Sequence, residues 1–166
     1  MIALHILDTK EFMKHFLLLK TFDRFNLSEC SVTTFCTFTI DGNWQRDFYD
    51  PDGENVLYDR NLAPWSSLRE YCFSIIRGKH TPLSFKFVFV LPEEMVPEFL
   101  TSNGLTTEPD EIGGLFLNIS FRNKKLLLTT GTALRTFTLD RSVDTAWDLY
   151  VQSFLRKYGV AAETAE

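Results

Sequence analysis

The chain has only 3 cysteines in 166 residues, and no two of them form a CxxC pair. An odd, unpaired set argues against a disulfide framework or a cysteine zinc site and points to free thiols in a reducing compartment. No apolar run approaches the ~18 residues that a membrane helix needs. The opening MIALHILDTKEF turns charged after a few apolar residues, so it lacks the basic start and longer apolar stretch of a secretory signal. Cations are in the minority, 17 against 22 acidic groups, for a formal net charge of -5. A field of that sign opposes nonspecific binding to nucleic acid or an anionic membrane unless basic groups cluster. The expected setting is the cytoplasm, without membrane contact.

Chemistry-bearing motifs are scarce as well. His5, His15 and His80 stand far apart and form no HxxxH or HExxH pattern that would set two ligands on one helix face. Cys72 falls on an apolar helix stripe, where burial raises a thiol's pKa, so pairing with His5 or His15 as a nucleophile is disfavoured against core packing. Asp47, Asp50, Asp52 and Glu54 crowd one segment. DPDGE nevertheless lacks the later ligands of a calcium loop, and turn chemistry accounts for its Asp-Pro and Asp-Gly steps. No GxGxxG, P-loop or GxSxG sequence occurs, and Gly113-Gly114 precedes a strand rather than the helix N-terminus that binds phosphate. No catalytic residue, cofactor or metal site is assigned.

What the chain does have is apolar patterning. It is 45% hydrophobic with 16 phenylalanines, which excludes a disordered chain and suffices for one core. Ile2–Ile6 reads as a strand, and Asp8 with Glu11 three residues later gives the capping-box spacing for a helix carrying Phe12, Phe16 and Leu17. Leu27–Ile40 reads as one long strand, with Cys30, Val32, Cys36, Phe38 and Ile40 toward the core. Asp41-Gly42 marks a hairpin, and register favours a three-residue bulged loop that keeps Trp44 with Phe38. Residues 50–63 are a turn-rich loop. Pro64 opens a helix with Trp65, Leu68, Cys72, Ile75 and Ile76 on one face, and Gly78 stops it in the left-handed conformation. Leu83–Leu91 is a near-apolar, central strand, and Pro92 starts a short helix. A two-residue turn at Asn123-Lys124 pairs Phe121 with Leu126 and Ile119 with Leu128. Leu134–Leu139 reads as a further strand and Ser142–Tyr158 as an amphipathic helix ended by Gly159.

The expected architecture is α+β, a mostly antiparallel sheet with about four helices packed on it. Residues 1–159 form one domain and 160–166 a fraying tail. The element order and the match of ILDTKEFMKHFL with VLPEEMVPEFL admit two strand-helix-hairpin pseudo-repeats, 1–80 and 81–159.

Basic groups gather in two places. Arg122, Lys124 and Lys125 surround one turn, with Arg135 and Arg141 beyond. Lys10, Lys14, Lys20, Arg69, Arg77 and Lys79 lie on the polar sides of the first two long helices. Solvated tips and faces account for both. Thr33, Thr37, Thr39, Thr129, Thr136 and Thr138 enrich polar strand faces and offer an assembly surface, although threonine is also a good strand former.

The stretches TTFCTFTIDG (33–42), FSIIRGKHTPLSFKFVFVLP (73–92) and LLLTTGTALRTFTLDRSVDTAWD (126–148) resemble an uncharacterised family of small proteins from anaerobic Gram-positive bacteria. The resemblance implies a compact cytoplasmic protein and carries over no activity, cofactor or catalytic residue. The architecture is also similar to sliding clamps, which are acidic overall and present basic helix faces to DNA, but no clamp motif matches residue by residue. The leading reading is a non-catalytic cytoplasmic binding module with a protein partner or a second copy. The alternatives are a clamp-like nucleic-acid-tracking protein and a small-molecule enzyme with an unrecognised pocket.

Overall fold

A computed structural model describes residues 1–48 and 61–166. Side-chain alternation dictates its central layer. In β5 (Ser84–Val90) Phe85, Phe87 and Phe89 are buried while Lys86 is exposed, so one face of the strand is covered and the other open. The same alternation runs through β2 (Asn26–Thr33), β6 (Ile112–Arg122) and β7 (Lys125–Leu134). With β1 (Ala3–Ile6), β3 (Thr37–Asp41), β4 (Ala63–Pro64) and β8 (Ala162–Thr164) they form an eight-stranded antiparallel sheet. The order is β3-β2-β5-β6-β7-β1-β8, with β4 also on β2.

Four helices cover one face: α1 (Thr9–Leu17), α2 (Trp65–Ile76), α3 (Val96–Ser102) and α4 (Ser142–Lys157). This is the expected α+β fold, and its core is aromatic. Phe16 stacks on Trp65 at 5.0 Å and meets Phe87 edge-on at 4.8 Å. Phe25 stacks on Phe89 at 5.7 Å, and Phe99 meets Trp147 edge-on at 5.7 Å. Both buried indoles keep their N–H satisfied: Trp65 donates to the Phe16 carbonyl at 3.3 Å and Trp147 to that of Phe116 at 2.8 Å. No helix among the described residues is long and apolar enough to cross a membrane.

Several local expectations hold to the residue. Asp8 caps α1 by accepting from the Glu11 N–H at 3.0 Å. Asn123 and Lys124 adopt φ of 52° and 62°, the primed turn a two-residue hairpin uses, and Phe121↔Leu126 and Ile119↔Leu128 pair. Others are corrected. The long strand 27–40 is two strands, folded back at Thr34–Cys36 so that Val32 faces Phe38 and Cys30 faces Ile40. Cys36 sits in that turn and is exposed rather than in the core. There is no strand over 134–139: β7 runs unbroken to Leu134, and an irregular segment leads to α4. Arg77 ends α2 in an extended conformation, and Gly78 has φ +144°, outside the left-handed helical cap.

Asp41-Gly42 is no hairpin turn. β2 carries a bulge at Ser28, between Leu27 and Glu29, and the chain leaving β3 presses onto it. Gly42 donates to the Ser28 carbonyl at 2.9 Å and accepts from Ala63 at 2.7 Å. A Cβ at Gly42 would stand 1.8 Å from the Leu27 carbonyl oxygen. Glycine is required here by close approach of two backbones.

Past α4 the chain turns back onto the sheet. Gly159 takes φ +70°, and the Gly159 and Val160 N–H groups return to the Arg156 and Leu155 carbonyls. That Schellman turn buries Val160 and reverses the chain, which then adds β8 to β1 (His5↔Glu163). The element order β1-α1-β2-β3-β4-α2 is followed by β5-α3-β6-β7-α4-β8. β5 pairs with β2 and β6, whereas β1 pairs with β7 and β8.

Candidate functional site

The end of α1 meets the start of α2 through the Phe16–Trp65 stack. Beside that contact, α1 and the end of α2 border a cleft of about 600 Å³ over the sheet. That volume falls in the range of small-ligand sites, roughly 300–1,000 Å³. Phe85 and Phe121, neighbours on β5 and β6, form its floor with their rings stacked at 5.2 Å. Met13 and Leu17 of α1 face Phe73 and Ile76 of α2 across it. Every one of these side chains is apolar.

The rim has the opposite character. Lys10 and Lys14 line the α1 side, and Arg77 and His80 come from the loop between α2 and β5. The nearby carboxylates are engaged: Asp8 caps α1, and Glu11 lies 3.3 Å from His15 and 3.9 Å from Lys14. Among the described residues no carboxylate forms an ion pair with Lys10 or Arg77. Register extends the basic region. The cross-strand row Thr33–Ser84–Arg122–Lys125 closes this end of the sheet. Lys79 and Lys124 project past it in the adjoining loop and turn, so the cleft opens at a cationic end of an acidic molecule.

The basic helix set flagged in the sequence is thereby divided. Lys10, Lys14 and Arg77 meet at the cleft, whereas Arg69 bonds Asp23 at 2.6 Å and the Leu19 carbonyl at 2.7 Å. Arg135 reaches the Asp110 carbonyl and Arg141 pairs with Asp144 at 3.0 Å. The threonines are divided too. Thr33, Thr37, Thr39 and Thr129 lie on the open sheet face, and Thr136 and Thr138 belong to the segment before α4.

The histidines remain apart. His15 joins a carboxylate–imidazole–hydroxyl chain, with Nε2 3.3 Å from Glu11 and Nδ1 2.7 Å from Thr21 Oγ1. Thr21 is 7% exposed and lines no cavity described for the fold, so the chain ties the end of α1 to the following turn instead of presenting a nucleophile. Cys72, buried on α2, has the buried Cys30 of β2 as its neighbouring thiol. The interaction with Cys30, together with burial, pushes the Cys72 thiol well up from its ordinary value, as core packing requires. Asp47 is exposed in a short 3₁₀ turn; Asp50, Asp52 and Glu54 lie outside the described residues. Among the described residues no three His, Cys, Asp or Glu side chains gather as a metal would need.

A second polar cluster fastens α4 to β7. Thr130 donates to Asp148 and Thr132 to Asp144, and the amino terminus of Met1 stands 3.2 Å from Asp148. The Thr132 bond, aided by Arg141, lowers the Asp144 pKa below its ordinary 3.8. A depressed carboxylate stabilises the fold fully above its unfolded value and loses that contribution as pH falls through the folded value. The melting-temperature advantage of the wild type over Asp144→Asn is therefore expected to be full at neutral pH and to shrink below about pH 3.8. An advantage that holds constant into strong acid contradicts the assignment.

The model of a family of unknown function, DUF5721, matches residues 15–163. The chain belongs to this family. The matched stretch takes in α2, the 77–83 loop and the floor residues Phe85 and Phe121, while Lys10, Met13 and Lys14 precede it. No curated protein and no solved structure matches the chain.

Proposed function

We propose that the chain is a non-catalytic binding module and that the α1–α2 cleft is its recognition site. One observation carries the reading: an open, apolar floor of Phe85 and Phe121 lies beneath a rim on which the described carboxylates leave Lys10 and Arg77 unpaired. Exposed apolar surface in a concave setting, with convergent polar groups at its mouth, is the usual form of a ligand site. Three free cysteines accord with a reducing bacterial cytoplasm, the setting of the resembled family.

Nile red, a neutral apolar dye, tests the cleft without engaging its charge. Its fluorescence should rise on binding the folded protein, and Ile76→Trp, which fills the cleft from the end of α2, should reduce the affinity about tenfold or more. Undiminished dye binding by a folded Ile76→Trp protein would place the apolar site elsewhere.

A further inference from the structure

Resting on that reading, we infer that the cleft takes an anionic amphiphile, a single apolar tail bearing a carboxylate or phosphate head. The floor and walls define the tail. Met13, Leu17, Phe73, Ile76, Phe85 and Phe121 offer no side-chain hydrogen-bond donor and, as acceptor, only the weak thioether of Met13, so a sugar or nucleobase buried against them would leave most of its polar edges unsatisfied. A cavity of about 600 Å³ holds a small molecule in full but only a fragment of a folded partner.

The rim defines the head. Lys10 and Arg77 approach the mouth from opposite walls, one on α1 and the other beyond the end of α2. A head group at the mouth thus meets positive charge from two independent elements. The carboxylates that would oppose it are turned to other partners, Asp8 to the helix cap and Glu11 to His15 and Lys14. Lys79, Arg122, Lys124 and Lys125 around the same sheet end add a field that draws anions toward the mouth, although the chain as a whole carries -5. The occupied cap also places the head against the side-chain cations, because Asp8 already fills the N-terminus of α1.

Calorimetric titration with four twelve-carbon ligands, each below its micelle concentration or solubility limit, separates the possibilities: laurate, dodecyl phosphate, dodecanol and dodecyltrimethylammonium. Either anion, or both, should bind about tenfold or more tightly than the neutral and cationic ligands, and the laurate-to-phosphate ratio identifies the preferred head. The Lys10→Gln/Arg77→Gln double variant should erase that preference while still binding dodecanol, with a melting temperature within a few degrees of the wild type because Arg77 also lies over the Phe73 ring. If the double variant fails to fold, Lys10→Gln alone, at an exposed position in the first turn of α1, serves the same comparison. Equal affinity for all four ligands overturns the anion assignment and leaves the apolar cleft standing. No binding of any ligand by a protein that still takes up Nile red overturns it as well. Anion binding that survives unchanged in Ile76→Trp overturns both the head and the site.

Discussion

Gly42→Ala should lower the melting temperature by about 6 °C or more, the largest loss expected for alanine at any of the described glycines. The added Cβ would stand 1.8 Å from the Leu27 carbonyl oxygen, and a backbone atom offers no rotamer to swing aside. Relief requires shifting the bulge at Ser28 or breaking the bonds that join Gly42 to Ser28 and Ala63. Either costs about 3 kcal/mol or more, at the upper end of overpacking penalties. Gly131→Ala is the control. Its Cβ would meet only the Phe116 Cβ at 3.8 Å, an ordinary contact, so its midpoint should stay close to that of the wild type. Thermal melts of the two variants that show equal losses would remove the close-approach account of Gly42.

Phe16→Ala should be comparably damaging for the opposite reason. Phe16 is fully buried and its ring touches Phe12, Phe22, Trp65, Phe85, Phe87 and Phe89. A void at that hub loses the transfer energy of the ring and its packing, about 3–5 kcal/mol. For a chain of this size the midpoint should fall roughly 6–20 °C. Phe137→Ala, at a ring that is 91% exposed, should move it little. A Phe16→Ala protein that melts within a few degrees of the wild type would show that the surrounding rings collapse into the space.

Residues whose partners lie close in the sequence made their structure readable. The Asp8 cap is set by Glu11, and the Asn123-Lys124 turn is set by the pairing of Phe121 with Leu126. The 33–37 hairpin was hidden by arithmetic. A turn of three residues returns the chain with the same parity, so Cys30, Val32, Phe38 and Ile40 face one side whether the segment is one strand or two. TTFC carries no glycine, proline or asparagine to betray the reversal, whereas Asp41-Gly42 carries turn residues for a different reason, the crossing over Ser28. β8 was invisible because Ala and Glu are poor strand formers, and the free edge of β1 imposes the conformation. The cleft escaped because its parts come from α1, the end of α2 and two neighbouring strands. Lys10, Lys14 and Arg77 were legible as cations but not as neighbours, since periodicity reports which way a side chain faces within its own element and says nothing of what stands opposite.

The position of β1 between β7 and β8 has a consequence for synthesis. Ile2 bonds to Thr130, 128 positions later, and His5 pairs with Glu163 near the far end of the chain. At about 5–20 residues per second, a ribosome leaves the first strand without its neighbours for roughly 6–26 s. Leu4 and Ile6 spend that interval as unpartnered apolar surface, whereas Phe12 and Phe16 of α1 have Phe22, Trp65 and the β5 phenylalanines to pack on well before it ends. β1 thus waits for a partner far along the chain, in contrast to the β6–β7 hairpin, whose strands are joined by a two-residue turn and can pair as soon as both have emerged.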